Sequence, residues 1–178
     1  MKKLRKYLVM AGLAAALAAA PMTSYAGIWG NAKKDSTQTE TVAYEFKSGD
    51  TVVAMGAEAA SVVKALGKPA KAVIEVDSCA YQGKDKVYTY AGFELNTYPV
   101  DGKERIASVY FLDDSVATPE GIKIGSKAKD VVDAYGKEYN KEEQKLGTYS
   151  YSTDTAELRI YTTKDVVDGV EYLVKAAK

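Results

Sequence analysis

One stretch of this chain occurs twice, and this duplication restricts the possible folds more than any other feature. Residues 55–69 align without a gap with residues 124–138. Seven of the fifteen aligned positions are identical: Gly56 with Gly125, Ala59 with Ala128, Val62 with Val131, Val63 with Val132, Ala65 with Ala134, Gly67 with Gly136 and Lys68 with Lys137. An internal repeat indicates a chain built from two similar units. It restricts the architecture but does not define a chemistry.

Both copies of the repeat have the residue spacing of a helix. Apolar side chains recur at positions i, i+3, i+4 and i+7, which places them on one face of about three helical turns. A glycine, Gly67 or Gly136, follows the last apolar residue, where helices commonly end. Ser126 is predicted to cap the second helix. Because helices this short are marginal alone in water, each must pack on an apolar surface.

Short runs rich in β-branched and aromatic residues follow each predicted helix, with turn residues at hairpin spacing. These runs are residues 72–76, 87–90, 93–98 and 105–112 in the first copy and 149–151, 157–161 and 167–174 in the second. The predicted fold class is therefore α+β. Two tandem helix-plus-antiparallel-meander modules, residues 42–114 and 115–178, are predicted to share one continuous sheet with both helices on one face.

The N-terminus has the pattern of a secretory signal peptide. A basic segment precedes an apolar run, and the small residues around Ala26 form a cleavage site before Gly27. The apolar run is shorter than a membrane-spanning helix requires, so no stable membrane anchor is predicted after cleavage. Residues 1–26 are thus predicted to be a signal peptide, residues 27–41 a flexible leader, and the protein secreted or extracytoplasmic.

Charge makes nucleic acid an unfavourable partner. The chain has 24 basic and 24 acidic residues, and signal cleavage would remove four of the basic ones, leaving an acidic excess of four. Nucleic-acid binding requires a basic surface, and none stands out in this sequence.

The residue types also argue against catalysis. The chain contains no histidine, which removes the commonest general base, the usual Ser-His and Cys-His pairs and most zinc sites. Two Ser-x-x-Lys matches, at Ser61 and Ser126, lack the companion motifs of penicillin-recognising enzymes. No enzymatic activity, metal or cofactor is predicted. Cys79 is the only cysteine, and it is interpreted as a small buried strand residue, with an intermolecular disulfide as the alternative.

Tyrosine provides the stronger functional signal, with 14 residues in the chain. If the apolar residues of the predicted strands face the helices, alternation sends their polar neighbours and several tyrosines to the opposite face. Such a face has the composition of a recognition surface. Tyrosine is, however, also common on any sheet face that is partly exposed to solvent. The candidate partner-binding residues are Tyr98, Tyr110, Tyr161, Glu94, Asn96 and Arg159.

The glycine, Val-Val and Leu-Gly-Lys-Pro pattern of residues 56–69, followed by a strand meander, resembles the superfamily of small-protein-A/BamE-like and β-lactamase-inhibitor-like (BLIP-like) proteins. The segment from residues 78–81 through residues 121–125 also resembles a group of secreted clostridial proteins. The resemblance covers residues 42–174 and implies short helices on an antiparallel sheet, with a binding or scaffold role outside the cytoplasm. The chain lacks the lipid-anchoring cysteine of the BamE group, which argues against a role in outer-membrane assembly.

Three functions remain open at this point. The favoured one is an exported, non-enzymatic binding or scaffold module that uses its open sheet face to bind a protein or cell-envelope partner. The alternative is a proteinaceous inhibitor of an extracellular hydrolase, as the resemblance implies. An enzyme is the least favoured of the three.

Overall fold

The computed structural model describes residues 44–175, so the predicted signal peptide, the cleavage site at Ala26 and Gly27 and the leader lie outside the described residues. The helices are α1 (Ala59–Leu66), α2 (Ala128–Tyr135) and α3 (Lys141–Gln144); the strands are β1 (Phe46–Ser48), β2 (Thr51–Val53), β3 (Ile74–Asp77), β4 (Lys84–Thr89), β5 (Phe93–Val100), β6 (Lys103–Phe111), β7 (Thr148–Ser152), β8 (Ala156–Thr163) and β9 (Val166–Val174). None of the described helices is long and apolar enough to cross a membrane.

The predicted fold class, α+β with two tandem helix-plus-meander modules, is wrong. Residues 44–175 are mostly sheet, with 43% strand and 15% helix, and the strands among them form two separate sheets. One is a seven-stranded antiparallel sheet in the order β3-β4-β5-β6-β9-β8-β7, and the other is the hairpin β1-β2. The hairpin was not predicted, yet its Phe46 and Val53 are fully buried in the same core as the large sheet. One shared core, rather than two modules, therefore organises the fold.

The two helices expected from the repeat spacing are present, and both end as predicted. Gly67 and Gly136 have φ angles of +77° and +81°, a left-handed region in which other residues are strained. Their N–H groups donate to the carbonyls of Val63 and Val132, at 3.1 and 2.9 Å. Ser126 does not cap α2, because its Oγ accepts from the Lys123 N–H instead.

The residues before α1 and α2 fix each helix to the large sheet through the same pair of backbone hydrogen bonds. Gly56 donates to the carbonyl of Ile106 at 2.8 Å, and the N–H of Ile106 returns a bond to Ala57 at 2.9 Å. Gly125 and Ser126 make the equivalent exchange with Val167, both at 2.8 Å. That the two copies arose by duplication is still a prediction from the sequence alone.

The core lies between the helices, the hairpin and one face of the large sheet. Across its four central strands the cross-strand neighbours Leu95, Val109, Tyr172 and Leu158 form one row, and all four are buried. The Phe46 ring of the hairpin packs on Phe93 and Phe111, with centroids 4.8 and 5.3 Å away. Because strand residues alternate between faces, the neighbours of this row point to the other side of the sheet.

Val131 provides a test of this packing, since it is on the buried face of α2 and 0% exposed. Val131→Asp buries a carboxylate without a partner and should lower the free energy of unfolding by about 3 kcal/mol or more. Ala134→Asp introduces the same side chain at an exposed position of the same helix and should cost about 1 kcal/mol or less. Urea unfolding measures both, and equal effects would contradict the packing described here.

Candidate functional site

The side of the large sheet that faces away from the core carries five of the six predicted site residues close together. Cross-strand pairing places Glu94 opposite Tyr110, Tyr110 opposite Glu171, and Glu171 opposite Arg159, so the four side chains form one row across four strands. We call this surface the polar face and define it by Glu94, Asn96, Ser108, Tyr110, Glu157, Arg159, Tyr161, Glu171 and Leu173. Apart from Ser108, which is buried, these residues are half-buried.

Hydrogen bonds within and between strands hold much of the polar face in place. The Tyr161 hydroxyl donates to Glu171 Oε2 at 2.8 Å. Arg159 Nη2 donates to Glu157 Oε2 at 3.0 Å. Further along, the Asn96 amide donates to the Ser108 hydroxyl at 2.9 Å. Side chains paired in this way have less rotamer freedom to lose when a partner binds.

Tyr110 and Tyr161 converge over Gly169 on strand β9. Tyr161 is the cross-strand neighbour of Gly169. A Cβ atom built on Gly169 would lie 3.0 Å from Cδ2 of Tyr161 and 3.4 Å from the hydroxyl oxygen of Tyr110. The missing side chain therefore allows the Tyr161 ring to lie against the strand. A glycine within a strand is a recognised signal of such a close approach, and it was overlooked in the sequence.

Tyr98 lies apart from the other two predicted tyrosines. It pairs with Arg105 beyond a register shift in β5, and its ring packs on Tyr81 with centroids 5.4 Å apart. Tyr98 is four positions after Glu94, which corresponds to roughly 13 Å along a strand. Tyr98 lines a different cavity of about 610 Å³ with Val100 and Arg105 among its neighbours. The structure thus brings Tyr110 and Tyr161 together and leaves Tyr98 outside their cluster.

Arg159 keeps unused hydrogen-bonding capacity. Its Nε is buried and has no hydrogen-bond partner among the described residues. The side chain borders a cavity of about 210 Å³ with Tyr161, Thr148 and Leu146, and Leu146 is 86% exposed. The Arg159 side chain as a whole is 38% exposed, so the outer edge of its guanidinium, next to an exposed leucine, can bind a carbonyl group of a partner beside an apolar side chain.

Burial and nearby charge set the protonation of the Tyr161 phenol. Burial, reinforced by the hydrogen bond to the Glu171 carboxylate, raises the pKa of Tyr161 to about 12. For Arg159, the hydrogen bond to Glu157 is the main reason that its pKa is raised. The tyrosine is therefore a neutral donor, and the arginine a cation, at neutral pH.

Sequence reasoning also left Glu171 out of the candidate set. Glu171 stands between buried Val170 and Tyr172, and this alternation was a signal that could have placed it on the polar face.

The prediction that Cys79 is buried in a strand is wrong, because it is exposed between β3 and β4. No group of three potential metal ligands occurs among residues 44–175.

Comparisons with protein-family models, curated proteins and solved structures found no match for this chain. The resemblance to BamE-like and BLIP-like proteins therefore stays a prediction from the sequence.

The pKa of Tyr161 predicts a difference in stability at alkaline pH. The phenol has a higher pKa in the folded chain than the value of about 10 expected in the unfolded chain. Its stabilising effect is thus complete below pH ~10 and lost as the pH rises through about 12. Between those values the wild type should lose unfolding free energy more steeply than Tyr161→Phe does. Urea unfolding at a series of pH values measures this, and parallel pH curves would contradict the environment assigned to Tyr161.

Proposed function

We propose that this chain is an exported, non-enzymatic binding module that recognises a protein or cell-envelope partner through the polar face. The observation that carries the proposal is the row formed by Glu94, Tyr110, Glu171 and Arg159, with Tyr161 hydrogen-bonded beside it. It presents two tyrosines and an arginine on strands β6 and β8, which flank β9 in the large sheet.

The residue types in this row are those that contribute most to protein recognition. Tyrosine and arginine are enriched among residues that dominate binding energy, because they combine a large contact area with hydrogen-bonding groups. Tyr110 and Tyr161 are held side by side over Gly169. The exposed Leu146 stands beside Arg159 and Tyr161 and extends the surface with an apolar contact.

The charge of the polar face indicates the chemistry of its partner. Its ionisable carboxylates are Glu94, Glu157 and Glu171, and Arg159 is its one basic residue. An acidic surface favours a partner with a basic patch, and charges near an interface mainly increase the rate of association. Binding should therefore weaken as the salt concentration rises.

Export and the absence of catalysis rest on the sequence. The N-terminal basic and apolar segments are typical of a signal peptide. N-terminal sequencing of the exported protein should begin at Gly27, and a chain recovered intact from the cytoplasm would contradict export. The lack of histidine in the whole chain supports the non-enzymatic role.

The binding role can be tested by quantitative capture from an envelope extract of the source organism on immobilised protein. Tyr110→Ala and Arg159→Ala should each weaken capture of a partner by about 1–3 kcal/mol, or roughly fivefold or more. Tyr98→Ala is the matched control, because it removes the same ring outside the cluster. It should leave the affinity unchanged.

Each variant must first show a melting temperature close to that of the wild type, so that lost binding is not lost folding. If Tyr98→Ala weakens capture as much as Tyr110→Ala does, the polar face is not the binding surface. If a partner is captured equally by all variants, or if capture does not depend on salt, the proposal fails.

A further inference from the structure

The cavity that borders Tyr98 is separate from the polar face, and we call it the Tyr98 cleft. Its volume is about 610 Å³, within the range of roughly 300–1,000 Å³ that is usual for small-molecule sites. Its walls include Tyr81, Tyr98, Val100, Arg105, Ala107 and Val174. The cleft therefore combines aromatic and aliphatic side chains with a cation, which is the composition of a ligand site.

Two tyrosine rings form part of the apolar wall. The ring centroids of Tyr81 and Tyr98 are 5.4 Å apart, and the rings are tilted by 39°. Tyr81 is 48% exposed, so much of this aromatic surface is in contact with solvent. A further flat ring packs well against such a pair in an offset or edge-to-face arrangement. An aromatic ligand would therefore remove exposed apolar surface from water.

Arg105 is held at a fixed place in the cleft. Its Nη1 donates to the carbonyl oxygen of Gly56 at 3.0 Å, and Gly56 also lines the cleft. The N–H of Gly56 is bound in turn to the carbonyl of Ile106 at 2.8 Å. The other N–H groups of the guanidinium make no side-chain hydrogen bond to residues 44–175, and Arg105 is half-buried. The arginine thus keeps donors for a ligand and has little rotamer freedom to lose on binding.

The charges around the cleft favour an anion. No aspartate or glutamate among residues 44–175 lines it. Glu58, which lies opposite Arg105 in the chain pairing, binds Lys103 at 2.9 Å instead. Lys175 also lines the cleft, but its ammonium group donates to the carbonyl of Thr153 at 3.0 Å. Arg105 is therefore the cation that remains for a ligand.

The second copy of the repeat indicates that this part of the fold does not require an arginine. Ile106 and Val167 make the same pair of backbone hydrogen bonds with the segments before α1 and α2. The residue before each of them is Arg105 in the first copy and Val166 in the second. A half-buried charge has a desolvation cost, which the backbone arrangement does not explain, since valine fills the equivalent place. Binding of an anion explains it.

We propose that the Tyr98 cleft binds a small aromatic carboxylate, in which a flat ring is joined to one carboxylate group by a short chain. The guanidinium of Arg105 donates to the carboxylate, and its planar fork matches the two carboxylate oxygens. The ring packs against Tyr81 and the aliphatic side chains of Val100 and Val174. This site is independent of the polar face and goes beyond the binding role proposed above.

The experiment is a titration of the full chain with 3-phenylpropionate, followed through the NMR shifts of the amides of Tyr81, Arg105 and Val174. Saturable shifts are expected at these amides. The uncharged 3-phenylpropanamide has the same ring and should bind roughly tenfold more weakly or less. Sodium acetate at equal ionic strength has the carboxylate without the ring and should give no saturable shift.

Three variants test the assigned contacts. Arg105→Val introduces the residue found in the second copy, so it should fold, and it should weaken binding roughly tenfold or more. Arg105→Lys keeps the charge but loses the planar fork and should weaken binding about threefold. Tyr81→Ala, at an exposed position, should weaken binding about threefold to tenfold.

Two further variants are controls. Lys47→Val removes a positive charge from an exposed strand position that does not line the cleft. Tyr110→Ala changes the polar face alone. Both should bind 3-phenylpropionate as the wild type does, so failure of the cleft and failure of the polar face are distinguishable.

The absence of saturable shifts, equal affinity for the uncharged amide, or unchanged affinity in Arg105→Val would each overturn the proposal. If Arg105→Val does not fold, unchanged affinity in both Arg105→Lys and Tyr81→Ala would overturn it. If N-acetyl-phenylalanine binds and 3-phenylpropionate does not, the occupant is the C-terminus of a peptide, and the assignment of a free acid is wrong.

Discussion

The pairing of β6 with β9 is the interaction on which the rest of the structure depends. It comprises three residue pairs, from Ser108 with Leu173 to Tyr110 with Glu171, whereas β5-β6 and β8-β9 have eight pairs each. This short seam joins four strands on one side to three on the other. The middle pair, Val109 with Tyr172, lies in the core, and the Tyr110–Glu171 pair lies on the polar face. The pairing of β6 with β9 therefore holds together both the core and the polar face.

The seam is short because other backbone segments occupy the remaining edges of its two strands. The residues before α1 bind the first half of β6 at Ile106, and those before α2 bind the start of β9 at Val167. Gly56 and Gly125 begin these segments with φ angles of +78° and +92°, which only glycine adopts readily. The sheet therefore positions the helices through main-chain hydrogen bonds, and their apolar faces then close the core.

Local patterns in the sequence predicted the local parts of this arrangement. The 3.6-residue spacing identified α1 and α2, and alternation placed Glu94, Tyr110 and Arg159 opposite the core. The seam joins residues about 60 positions apart, and no local pattern encodes such a contact. Strands β1 and β2 have three residues each, too few for alternation to be detected. Tyrosine suits either face of a sheet, so its abundance could not show that Tyr151 and Tyr172 belong to the core.

The register of the seam determines which residues face the core, so its direct observation is the decisive measurement. In a nuclear Overhauser spectrum of the isotope-labelled protein, backbone protons of Val109 should give cross-strand contacts to Tyr172, and those of Tyr110 to Glu171. A register shifted by one residue would pair Tyr110 with Tyr172 and would turn one of the two strands over, so that its core residues faced the other side of the sheet. Such contacts, or none between β6 and β9, would contradict both the shared core and the polar face.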